Sequence, residues 1–322
     1  MSPSASALRA LAPAKLNLTL RVLGRRADGF HELATTILAL EHGDLLALGP
    51  RAEGAPAVRI EGPAASSDVP ADASNLAWRA VEAVAALARE RGLAADPRTL
   101  SVGISKRVPS GAGLGGGSAD AAAAALAAAR WFGLDAAAEP EIGRALAVLG
   151  SDCPFFLLAR RSGLGACTGR GEIVRPLPPA SAGRAFCVLT PGVHAPTAAV
   201  YAALDAPVFR PAADARPPDD PLALLAAPLA EARSLLVNDL EPAALAAHEG
   251  LARFRSFLDA SGARHFRLAG SGASFFGMFD DEASARACRA ELEARAAEGG
   301  LGLRAAFVTR AANRGATLLS SN

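Results

Sequence analysis

The stretch Lys106 to Ala125, KRVPSGAGLGGGSADAAAAA, constrains this chain more than any other part of it. Five glycines fall within the seven residues 111–117, and an alanine run follows directly. Glycine lets the backbone curl and its N–H groups approach a partner closely. Alanine is the strongest helix former. A glycine loop running into a helix aims unpaired N–H groups and the positive end of the helix dipole at one spot. Such a spot suits a phosphate. The competing reading, a flexible linker, fits the flanks poorly. SVGISKRV (101–108) alternates like a strand, and ADAAAAALAAARWFG (119–133) reads as a helix ending at Gly133. A dinucleotide-binding fingerprint fits poorly with a loop a third of the way along the chain. The GxxxxGK[ST] loop is excluded because no lysine follows these glycines.

The flanking patterns predict an α+β protein of two domains, as 322 residues allow. Strand patterns cover 16–22, 34–41 and 44–49. A helix covers 74–92, with Ser74 as its N-cap and Gly92 as its stop. Glu141 to Leu149 reads as a short helix, and 155–158 (FFLL) and 172–177 as extended. A composition shift near PLPPASAGR (176–184) places the domain boundary, giving 1–178 and 179–322. Beyond it, 205–221 is proline-rich and reads as a surface loop. Helical patterns cover 241–261 and 282–298. Strands are expected at 187–192, 265–272, 274–280 and 303–311.

Composition excludes several classes of function. A net charge of +1 supplies no basic field for nucleic acid. No apolar run is long enough to span a membrane, and the N-terminus lacks the basic-then-apolar order of a signal peptide. The four cysteines form no CxxC pair, so free thiols in a reducing cytoplasm are expected, without a disulfide framework. Among 33 basic residues, only Lys15 and Lys106 are lysines. Arginine fills the ordinary positions, so these two mark places where a compact ammonium is needed, unless both are chance surface survivors.

Four clusters carry candidate chemistry. In PAKLNLTL (13–20), Lys15 and Asn17 share the polar face of a strand, which suits an anionic or hydroxylated ligand or simply solvent. Asp28-Gly29 signals a turn, after which Phe30 and His31 present a ring and an imidazole. In the glycine loop, Ser118 either meets a phosphate or Mg²⁺ or caps its helix. In LGSDCPFF (149–156), Asp152 is either a turn residue or a catalytic carboxylate on rigid flanks. In LAGSGASFFGMF (268–279), the glycine turn either approaches the phosphate loop or only joins two strands.

Together these segments resemble the GHMP kinase superfamily. PSGAGLGGGSA (109–119) is similar to its PxxxGLGxSSA signature. PAKLNLTLRVLGRRADGFHEL, LGSDCPFFL, TGRGE (168–172) and NDLE (238–241) resemble the branch that phosphorylates 4-diphosphocytidyl-2-C-methyl-D-erythritol in the non-mevalonate isoprenoid route. The resemblance implies a ribosomal-protein-S5-like N-terminal α/β domain and a C-terminal α/β sandwich. It implies ATP and Mg²⁺ as cofactors, a small-molecule substrate, and a cytoplasmic monomer or weak dimer. By carry-over, Asp152 matches the catalytic base and Lys15 its partner cation. Pro109, Ser110, Gly111, Ala112, Gly113, Leu114, Gly115, Gly116, Gly117, Ser118 and Ala119 match the ATP phosphate site, with Ser118 toward Mg²⁺. Lys106 and Leu76 fall at the adenosine pocket. Asn17, Phe30 and His31 match substrate positions, the latter two facing the cytosine, with Tyr201 as the opposite ring. The proline-rich segment 205–221 is unusually long. The alternatives are a homoserine- or mevalonate-type kinase, which the opening segment disfavours, or a non-catalytic nucleotide sensor, which would not need Lys15 and Asp152 together.

Overall fold

Alternation of apolar residues in the first fifty positions produces one long antiparallel hairpin. In the computed structural model, which describes residues 7–180, 183–204, 207, 210 and 220–320, its strands are β1 (Leu8–Arg25) and β2 (His31–Pro50). The Asp28-Gly29 turn joins them: Gly29 takes φ +88°, and Asp28 Oδ1 accepts the Phe30 N–H at 3.1 Å. The two expected strands at 34–41 and 44–49 are one. Gly43 does not break the strand, because it lies flat against β1, where a Cβ would sit 2.5 Å from the Ala12 carbonyl oxygen.

β3 (Val58–Glu61) pairs parallel with β4 (Leu100–Ser105), which lies antiparallel to β2. β5 (Leu164–Gly169) also pairs with β2, and β6 (Ile173–Pro176) with β5. A second sheet is ordered β11 (Leu303–Arg310), β7 (Ala185–Pro191), β10 (Phe275–Phe279), β9 (Arg267–Leu268). Two late strands return to the first sheet. β8 (Val237–Asn238) pairs parallel with β1 and β12 (Thr317–Leu318) antiparallel with it.

Helices α1 (Leu76–Glu90), α2 (Gly116–Phe132), α3 (Glu139–Leu149) and α4 (Cys153–Leu158) share a core with the first sheet. Ala121 to Ala125 of α2 are wholly buried, so alanine serves here as a small packing residue as well as a helix former. A second core joins Leu16 and Leu18 of β1 to Phe186, Val188, Phe276 and Met278 of the other sheet. The third core lies between that sheet and helices such as Glu249–Ala260.

Several local expectations are corrected. FFLL is helical, as part of α4, with Phe155 and Phe156 fully buried. Four apolar residues have no period that separates strand from helix, and Pro154 in the first turn favours the helix. Asn75, not Ser74, caps α1, its side chain accepting the Ala77 N–H at 2.9 Å. Ser74 is held instead by Asp72. Helix α2 starts three residues early, at Gly116. The pattern over 241–261 divides into Glu241–Ala247 and Glu249–Ala260. Most of 205–221 lies outside the described residues, but Asp220 caps a short helix, Pro221–Ala226.

Candidate active site

The glycine loop is held at both ends and along its length. Gly115 adopts φ +69° and stands at the N-cap of α2 with no side-chain cap. Ser118 is therefore the third helical residue and not a cap. Gly116 to Ser118 form the first turn of α2, whose N–H groups have no intrahelical acceptor, and all three line the cavity, as anion binding requires. On one side the Lys15 N–H donates to the Leu114 carbonyl at 2.9 Å. On the other the Ser274 N–H donates to the Ala112 carbonyl at 3.1 Å. A Cβ on Gly113 would lie 1.9 Å from the Ala269 oxygen, so the second glycine turn sits directly on the loop. Asn238, from NDLE, fixes that turn by donating to the carbonyls of Leu268 (2.9 Å) and Gly270 (2.7 Å).

Both lysines are buried at this loop, 3% and 2% exposed, which removes the chance-surface reading. Lys15 Nζ lies 3.2 Å from Asp152 Oδ2 and donates to Asn17 Oδ1 at 2.6 Å. Asn17 Nδ2 donates onward to Thr35 Oγ1 at 2.9 Å. The shared strand face is thus the floor of a site and not solvated. The Asp152 side chain, at the entrance to α4, keeps 30% exposure and opens into the cavity.

Lys106 lines the same cavity, but its ammonium is not free for a ligand. It donates to Asp44 Oδ2 at 2.5 Å and to Asp120 Oδ2 at 2.8 Å. Asp44 also accepts the N–H groups of Arg107 and Val108. This triad ties β2, the exit of β4 and the first turns of α2 together beneath the loop. Asp120 Oδ1 has no partner, and burial pushes that carboxyl up to about 7 against the pull of Lys106.

The cavity, of 570 Å³, is lined by the loop, Lys15, Asn17, Leu76, Asp152 and Gly270. A second cavity, of 790 Å³, adjoins it and holds Phe30, His31 and Tyr201. The His31 and Tyr201 rings stack at 5.2 Å with an interplanar angle of 29°. Burial, followed by Arg25, lowers the His31 pKa below the ordinary histidine value, favouring neutral imidazole. Phe30 is half exposed under the Arg170 guanidinium. Asn75, Thr35, Asp68 to Pro70 and Arg170 also line the first cavity and escaped the sequence reading. Only Arg170 lay in a motif singled out there, TGRGE.

All four cysteines are free, and burial pushes the Cys153 thiol up to about 12, leaving it inert at neutral pH. No helix among the described residues is long and apolar enough to cross a membrane. Among the described residues no cluster of three metal-ligating side chains occurs. Mg²⁺ needs only one or two protein oxygens when phosphates supply the rest. The half-buried Ser118 hydroxyl, lining the cavity at the start of α2, fits that demand.

A phosphate cradle, a lysine–aspartate pair and a second glycine turn from the other sheet define a kinase for small molecules. The GHMP kinases N terminal domain model matches residues 75–160, and the GHMP kinases C terminal model matches 222–298. A 4-diphosphocytidyl-2-C-methyl-D-erythritol kinase of Heliobacterium modesticaldum is 37% identical, covering 89% of this chain and 90% of its own length. One from Xanthobacter autotrophicus is 39% identical, covering 85% and 90%. A crystal structure of a 4-(cytidine 5'-diphospho)-2C-methyl-D-erythritol kinase is 32% identical with a TM-score of 0.69, covering 94% of this chain and 99% of that one. A homoserine kinase from Cytophaga hutchinsonii, 16% identical with a TM-score of 0.67 and covering 99% of both chains, shares the fold. The chain belongs to the GHMP kinases, within the 4-diphosphocytidyl-2-C-methyl-D-erythritol kinase family. Its architecture is the α+β, two-domain GHMP kinase fold that the sequence implied.

Proposed function

We propose that this protein transfers the γ-phosphate of ATP to the 2-hydroxyl of 4-diphosphocytidyl-2-C-methyl-D-erythritol, giving the 2-phosphate and ADP in non-mevalonate isoprenoid synthesis. The observation that carries this reading is the Lys15–Asp152 pair, 3.2 Å apart, facing the uncapped start of α2 from across one cavity. Phosphoryl transfer passes through a loose transition state, so positioning and charge stabilisation dominate. The N–H groups of Gly116 to Ser118 hold the triphosphate, and Leu76 with the 68–70 segment packs the nucleoside. The acceptor oxygen bonds to the γ-phosphorus while the bond to the β-phosphate oxygen breaks. Asp152 orients the hydroxyl and takes its proton. Lys15, fixed by Asn17, sits where charge develops. The Ser118 hydroxyl would help to hold a nucleotide-bound Mg²⁺, which would supply neutralisation of phosphate charge.

The stacked His31 and Tyr201, with Phe30, provide the flat apolar faces and the neutral imidazole that a cytosine ring requires. A cytoplasmic location suits the buried free thiols, and a monomer or weak dimer is the assembly we infer. ADP release with 4-diphosphocytidyl-2-C-methyl-D-erythritol as acceptor, beside homoserine and mevalonate, tests the reading. Turnover confined to the cytidine-linked acceptor is expected. Equal or better turnover of another alcohol would reassign the enzyme within the superfamily.

A further inference from the structure

Arg170 stands where two cavities meet. One holds Lys15, Asp152 and the glycine loop, and the other Phe30 and His31. Leu33, Ser151, Arg170, Thr197 and Tyr201 line both, and Arg170 is the one charged residue of these five. Its guanidinium lies 4.7 Å over the Phe30 ring, an arrangement that holds the side chain toward the junction. It is otherwise lightly held. Nε is 3.7 Å from Glu172 Oε1, and Nη2 is 3.4 Å from the Ala147 carbonyl. Glu172 Oε2 is engaged by the backbone N–H of Arg170 at 2.6 Å. A guanidinium carries five N–H donors, so most of the fork remains to meet a ligand.

We propose that Arg170 binds the diphosphate in the middle of the acceptor and so selects a nucleoside-diphosphate-linked alcohol over a shorter one. The inference rests on the functional reading above. An acceptor with its hydroxyl at Asp152 and its base beside His31 and Tyr201 must pass Arg170. The part of such a molecule that lies midway is the diphosphate. A planar guanidinium matches phosphate oxygens in pairs, which an ammonium cannot do.

The test uses the full-length protein and its Arg170→Gln and Arg170→Lys variants. Calorimetric titration with CDP and with cytidine is set beside ADP-release kinetics. Arg170→Gln should weaken CDP by about 10- to 100-fold, the scale of hydrogen bonds to a charged group. Cytidine should bind all three proteins alike. The acceptor KM should rise in step with the CDP constant while the ATP KM stays put. Arg170→Lys should recover part of the loss, and thermal melting of both variants reports whether they are folded. An unchanged CDP affinity in Arg170→Gln, or a loss that falls on the ATP KM, overturns the assignment. A wild-type protein that neither binds CDP nor phosphorylates the cytidine-linked acceptor overturns the functional reading and this inference with it. A wild type that does both, with Arg170→Gln indistinguishable from it, overturns this inference alone.

Discussion

Asp152 and Lys15 are 137 positions apart in the chain and meet only because β1 and the start of α4 face one cavity. Asp152→Asn keeps the shape of the side chain and removes the proton acceptor. Turnover should fall by about 100-fold or more, read as ADP release at saturating substrates. A loss of only a few-fold would take Asp152 out of the chemistry. Lys15→Arg should also impair turnover, because the side chain is 3% exposed and its compact ammonium is already fitted between Asp152 Oδ2 at 3.2 Å and Asn17 Oδ1 at 2.6 Å, where a wider guanidinium would displace one of them. His265 answers a different question, acid stability. Burial, followed by Arg233, Arg267 and Arg255, pushes its pKa down to about 4, and Nε2 has no partner. The unfolded chain then binds a proton more readily than the folded one between about pH 6.5 and 4. Stability should decline as pH falls through that window. Urea midpoints of wild type and His265→Gln should converge in slope above pH 7 and diverge below 6. Parallel curves throughout would show that His265 does not contribute.

The Asp44–Lys106–Asp120 triad acts at the scale of elements, binding β2, β4 and α2 at the point where the phosphate loop leaves and re-enters them. Removing one partner of a buried ion pair leaves an uncompensated charge. Lys106→Met should therefore cost about 3–5 kcal/mol, measured by denaturant unfolding. The ATP KM should rise in the same variant, since both ends of the loop lose their tether. A variant as stable as wild type would mean that the carboxylates are satisfied without the ammonium. Elements also differ in how openly the sequence states them. Glu282–Glu298 is legible to the residue, because it is long and opens on Asp281, whose side chain accepts the Ser284 N–H at 2.8 Å. FFLL is not, because its helical state depends on Phe155 and Phe156 being enclosed on every side.

At the scale of the molecule, the two sheets do not divide the chain cleanly. We propose a boundary at 178/179, with 237–238 and 317–318 as strands lent back to β1. The core that joins Leu16 and Leu18 to Phe186 and Phe276 crosses that boundary. A fragment of residues 1–178 would lose two partners of β1 and expose that core to water. It should unfold without a cooperative transition in urea followed by circular dichroism. A sharp transition would show that the first unit folds alone.

The sequence by itself determined the phosphate loop, the helix it feeds, and the family, because glycine conformations, helix propensity and local motifs are properties of adjacent residues. It also marked Lys15 and Lys106 through the scarcity of lysine. Only the tertiary structure decided what the two lysines do. Lys15 meets Asp152 in the open cavity, whereas Lys106 is enclosed by two carboxylates from β2 and α2. Likewise NDLE could be quoted as a motif, but its asparagine fixes a turn 30 residues further on, by hydrogen bonds with no local signature. The charge of a side chain is written in the sequence. Whether that charge is spent on a neighbour or kept for a ligand depends on which distant elements pack around it.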